Sequence, residues 1–73
     1  MITLRPLLEE HLTSQEIRLL NLLAEGYSYD GCALHLNISV NTVRNYIRSV
    51  YMKLDVHSKA EAVTKALRTG IIL

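Results

Sequence analysis

Asn41, Arg44, Asn45, Arg48 and Met52 gather on one side of a helix turning about 100° per residue, opposite Val43, Ile47, Val50 and Leu54. The planar fork of arginine matches the O6 and N7 edge of guanine, and asparagine pairs in a similar way with adenine. Arg44, Asn45 and Arg48 are therefore the expected base contacts. A strip beside them holds Thr42, Tyr46, Ser49 and Lys53, which with Ser39 and Asn41 can offer hydrogen bonds or charge to phosphates and so fix the helix in a groove. A solvated amphipathic helix carries basic residues too. The absence of any acidic residue between Ser39 and Lys53 argues for a polyanionic partner instead.

The formal net charge of +1 hides an asymmetry. Met1 to Ile38 has two Arg against five Asp or Glu, a balance of −3, while Ser39 to Leu73 has six Lys or Arg against two, a balance of +4. Such a division fits one surface turned toward nucleic acid. With 73 residues the chain holds one small domain, and a domain of this size hides only about 60% of its unfolded surface. Trp and Phe are absent and 49% of residues are apolar, so the core must be built from Leu, Ile, Val and Ala, as in closely packed helices.

The elements that position the basic helix are legible from their punctuation. Thr13 and Glu16 form a capping box, with Leu12 and Ile17 as a hydrophobic staple. Ile17, Leu20, Leu23 and Ala24, widened by Leu19 and Leu22, then predict a helix over about Ser14 to Glu25, stopped by Gly26. Ser28 opens a short second helix with Cys32, Ala33 and Leu36 on its inner face, ending near Asn37, a residue that tolerates the left-handed turn. Gly31 makes it the weakest of the four, because glycine costs a helix interior about 1 kcal/mol relative to Ala and cannot complete a capping box with Ser28. Ser39 starts the third helix, about Val40 to Leu54. Ser58 and Glu61 predict a second capping box before a fourth helix, whose Ala60, Ala62, Val63, Ala66 and Leu67 run to Gly70, and Ile71 to Leu73 is expected to fold onto the core. The fold class is all-α: a compact four-helix domain in which helices two and three form a helix-turn-helix and helix three is the recognition helix.

Other chemistry finds little support. His11, His35 and His57 lie on an arm, a scaffold helix and a turn, with no partner at metal-ligand spacing, so no metal is expected. Cys32 is a small buried hydrophobe, and a lone cysteine excludes an internal disulfide and suits a reducing compartment. Tyr27 and Tyr29 flank Ser28, where they cover the core edge or reach a phosphate. No phosphate-cradling glycine loop and no nucleophile with a base occurs, so neither an enzyme nor a cofactor is expected. Apolar runs are far shorter than the roughly 20 residues a membrane span needs, and no signal peptide is recognisable, so the chain reads as cytoplasmic, without a membrane or small-molecule partner.

The segments LTSQE, LLAEGYS, LNISVNTVRNYI, YMKLDVHSKAEAV and ALRTGII, in this order from Leu12 to Ile72, resemble the LuxR-type, or GerE-like, family of bacterial transcription regulators. The resemblance implies a four-helix domain binding DNA as a homodimer on inverted half-sites, commonly joined to an upstream receiver, as in response regulators, or to a ligand sensor. It places base contacts on Arg44, Asn45 and Arg48 and a backbone contact on Lys53. It assigns much of the dimer contact to the fourth helix, with Lys59, Ala62, Thr64 and Ala66 expected there, although the two alanines serve equally well as core. Tyr46 stands where many members have His, Gly31 where Glu is frequent and Cys32 where Ile or Val is usual. Residues 1–11 are expected to be an arm or linker remnant and residues 12–73 the DNA-binding domain. The alternative is a protein-interaction module docking another regulator or RNA polymerase.

Overall fold

Each helix begins where a side-chain oxygen can take up a free backbone amide, and four such starts organise residues 12–73, the part described by the computed structural model. The expected arm, residues 1–11 including His11, lies outside the described residues. Helix α1 spans Ser14–Ala24, α2 Tyr29–Leu36, α3 Val40–Leu54 and α4 Lys59–Arg68, with no strand among the described residues.

At the start of α1 the Glu16 amide donates to Thr13 Oγ1 (3.1 Å) and the Thr13 amide donates to Glu16 Oε1 (2.9 Å), the reciprocal box expected from the sequence. The helix stops at Ala24, one residue earlier than the pattern predicts, because Gly26 with φ +96° turns the chain away. Its buried stripe is also displaced: Leu19, Leu20 and Leu23 are buried, while Ile17 is half-buried and Ala24 exposed. The reason is tertiary. Leu20 packs with Leu12, Val50, Leu54, Val56, Ala62, Ala66 and Ile72, whereas Leu19 and Leu23 pack with Cys32, Ala33, Leu36, Val43 and Ile47. Helix α1 thus lies between two halves of the core, and α3 joins them, Val43 and Ile47 serving one half and Val50 and Leu54 the other.

Ser28 and Ser39 cap α2 and α3 through 3.1 Å bonds from the Gly31 and Thr42 amides. Between them Asn37 adopts φ 58°, ψ 47°, and the Ile38 amide reaches back to the Ala33 carbonyl (3.0 Å), which makes the tight turn of the helix-turn-helix. A Cβ on Gly31 would lie 3.2 Å from Tyr27 Cδ1, so the small residue also makes room for the Tyr27 ring, which packs edge-on against His35 at 4.4 Å. Asp55, at φ 56°, closes α3, and Lys65 Nζ donates to the Leu54 carbonyl (2.6 Å), satisfying one of the helix's open acceptors.

The start of α4 departs from the sequence expectation. The Glu61 amide does donate to Ser58 Oγ (3.1 Å), but the Glu61 carboxylate accepts from the Ser58 hydroxyl (3.2 Å) instead of the Ser58 amide, so only half of a capping box forms. Ala60 and Leu67, read as part of the apolar run, are exposed, and α4 ends at Arg68 with Gly70 in the left-handed region. The tail folds back as expected: the Ile71 amide bonds the Ala66 carbonyl (2.9 Å) and Ile72 is buried, leaving Leu73 outside.

Candidate nucleic-acid interface

The outward face of α3 follows from its inward one. Val43, Ile47, Val50 and Leu54 are buried, which fixes the rotation of the helix and leaves Asn41, Arg44, Asn45, Arg48 and Met52 exposed on the opposite side. Asp55 is the first acidic residue reached along this helix, and it already stands beyond the last turn. The three expected base-contacting residues therefore share one solvent-facing surface of a helix that follows a tight turn.

The expected backbone-contacting residues separate into groups. Asn41 is exposed. Ser39 is exposed but occupied as the α3 cap, and its hydroxyl pairs with that of half-buried Thr42 at 2.9 Å. Tyr46 is half-buried against the α1 and α2 side of the core, and Ser49 is half-buried on the same flank as Lys53.

Lys53 is held by a residue that the sequence reading did not connect to it. Its ammonium donates to Glu16 Oε1 at 2.8 Å, the same oxygen that takes the Thr13 amide, with the Lys53 side chain 27% exposed and that of Glu16 only 4%. Burial by itself would raise the Glu16 carboxyl. The bonds from Lys53, from the Thr13 amide and from the nearby Ser49 hydroxyl, with the Lys53 charge, outweigh burial and hold it below its ordinary value. One carboxylate thus caps α1 and clamps the last turn of α3 to it. The signal in the sequence was Glu16 standing between Leu12 and Leu19 on the side that becomes buried, but nothing local names a partner 37 residues away.

Two concave regions adjoin this face, and a third lies beyond the end of α3. A notch of about 290 Å³ is lined by Tyr29, Arg44, Ile47, Arg48 and Tyr51. A groove of about 480 Å³ runs past Arg48, Met52, Asp55 and His57, and another of about 580 Å³ lies between the end of α3 and α4, beside Asp55, Glu61, Lys65 and Arg68.

On α4 the expected dimer residues divide. Lys59 is exposed, but Ala62 and Ala66 are fully buried among Leu20, Val50 and Leu54, so they belong to the chain's own core and offer no side-chain surface to a second copy. The outward strip of this helix is Ala60, Thr64 and Leu67. Cys32 is buried and its thiol is pushed up by burial, as befits a packing residue. His35 and His57 are exposed, and no cluster of His, Cys, Asp and Glu able to hold a metal occurs among the described residues. No helix among them is long and apolar enough to cross a membrane.

The profile of bacterial regulatory proteins of the luxR family matches residues 10–66. The transcriptional regulatory protein YdfI of Bacillus subtilis (strain 168) is 38% identical over 64 residues, 88% of this chain and 30% of that protein. The HTH-type transcriptional regulator MalT of Yersinia pestis (strain Pestoides F) is 40% identical over 57 residues, 78% of this chain and 6% of that protein. The chain therefore spans less than a third of the length of these curated relatives. The solved structure of the transcription factor GerE superposes with a TM-score of 0.81 at 35% identity, covering 85% of this chain and 92% of that one.

Proposed function

This chain belongs to the luxR family of bacterial regulatory proteins, and from that membership and the surface of α3 we propose that residues 12–73 form a sequence-specific DNA-binding unit in transcriptional control. Helix α3 lies in the major groove, Arg44, Asn45 and Arg48 read base edges, and α2 braces it across the sugar-phosphate backbone. The observation that carries this reading is the exposed, acid-free row of Arg and Asn set opposite a fully buried apolar stripe on the same helix.

Around that row, Ser39, Asn41, Thr42, Tyr46 and Ser49 approach phosphates, and Lys53 adds a charge already partly neutralised by Glu16. Two copies bind inverted half-sites through the outward strip of α4, Ala60, Thr64 and Leu67 with Lys59 at its margin, in the bacterial cytoplasm. Binding-site selection from a random duplex pool, followed by titration of the selected and a scrambled duplex at rising salt, tests the reading. It predicts a selected site with two-fold symmetry and an affinity that falls steeply with salt. Equal, weak affinity for both duplexes at every salt concentration would instead favour docking on another regulator or RNA polymerase.

A further inference from the structure

The notch between the start of α2 and the flank of α3 differs from its neighbours in chemistry. Both larger grooves include Asp55, whereas this one is lined by Tyr29, Arg44, Ile47, Arg48 and Tyr51, two arginines and two tyrosines with no acidic residue. Tyr29 and Tyr51 are half-buried, their rings packed against the core half around Val43 and Ile47, so their hydroxyls are held at low cost in conformational freedom. A phenol is already protonated at neutral pH, and burial and the Tyr29 hydroxyl push Tyr51 further up, to about 12.

We infer that Tyr29 and Tyr51, with Arg44 and Arg48 at the rim, form a seat in which the two phenols donate to one phosphodiester of the DNA backbone, next to the bases that α3 reads. A phosphate oxygen offers only acceptors, and this lining supplies donors from two helices at once. The location agrees with the general docking of a helix-turn-helix, whose first helix crosses the backbone. The seat rests on the DNA-binding reading and adds two contacts that the pattern on α3 alone does not name. Both are uncharged, which separates them from every arginine or lysine contact: a neutral hydroxyl binds phosphate without releasing a counterion.

The test uses the 73-residue chain, a duplex obtained by binding-site selection, and the variants Tyr29→Phe, Tyr51→Phe and their combination, each with its melting midpoint recorded. Each single variant is expected to lose about five- to tenfold in affinity, alike on selected and scrambled duplexes, with the slope of log affinity against log salt unchanged. A single neutral methylphosphonate moved along the duplex should find one position that weakens the wild type and costs the double variant nothing further. Tyrosine variants that bind as wild type, or a double variant as sensitive as wild type at every methylphosphonate position, would overturn the seat while leaving base reading intact. Failure of the wild type to bind duplex in a salt-dependent way would remove both.

Discussion

Replacing Glu16 by glutamine and Lys53 by methionine separates the two duties of the clamp between α1 and α3. The side-chain amide introduced by Glu16→Gln retains an oxygen for the Thr13 amide, so that variant loses the ion pair but keeps the cap. The freed Lys53, already 27% exposed, can turn to water, and the cost should be about 1 to 1.5 kcal/mol, above a surface pair and below a fully buried one. Lys53→Met is the harsher change, because it leaves a carboxylate that is only 4% exposed without its cation. About 2 to 3 kcal/mol is expected there. The double variant should cost little more than Glu16→Gln alone, giving a coupling of about 2 to 3 kcal/mol. For a domain of this size each kcal/mol moves the melting midpoint by about 4 to 8 °C, so thermal or urea unfolding followed by circular dichroism resolves the cycle.

The same carboxylate gives the sign of an acid transition. Its folded-state pKa lies below the ordinary 4.5, so as pH falls the unfolded chain takes up this proton first. The stabilisation is complete above about 4.5 and is lost as pH drops through the lower folded value. Glu16→Gln should remove this part of the acid loss. Additive single variants, or a Lys53→Met no worse than Glu16→Gln, would refute the clamp.

Arg44→Ala and Arg48→Ala should each cost about 1 to 3 kcal/mol of binding and relax base preference at one position of the site, read by titration against single-base variants of the selected duplex. Lys53→Ala should weaken all sequences alike and flatten the salt slope by less than about one, since Glu16 already neutralises part of its charge, whereas Glu16→Gln should steepen that slope. Asp55 places a negative charge and a left-handed backbone at the carbonyl end of α3, so Asp55→Gly should raise stability by about 1 kcal/mol and Asp55→Asn by about half that, measured by thermal melts. Ala66→Leu should destabilise the isolated chain by about 1 to 3 kcal/mol through overpacking, while Leu67→Glu should leave the monomer's melt almost unchanged and weaken binding only on a two-half-site duplex.

Local chemistry written in consecutive residues was sufficient for the helices. Thr13, Ser28, Ser39 and Ser58 each bond an amide three residues on, Asn37 makes the left-handed turn, and the 3.6-residue rhythm of Val43, Ile47, Val50 and Leu54 dictates which side of α3 meets solvent. The exposed Arg and Asn face of α3 was therefore legible from the sequence alone, and the family resemblance rested on the same segments. What the rhythm left open are matters of which helix meets which. The split of α1 between two core halves turned Ala24 outward and Leu19 inward, and it set Ala62 and Ala66 inside the core, away from any partner surface. The Glu16 bond to Lys53 and the shared notch of Tyr29 and Tyr51 join residues 37 and 22 positions apart. Backbone bonding and side-chain periodicity act within a few residues and are encoded locally, whereas ion pairs and concave seats arise only when separately encoded helices pack, and their partners are chosen by that packing.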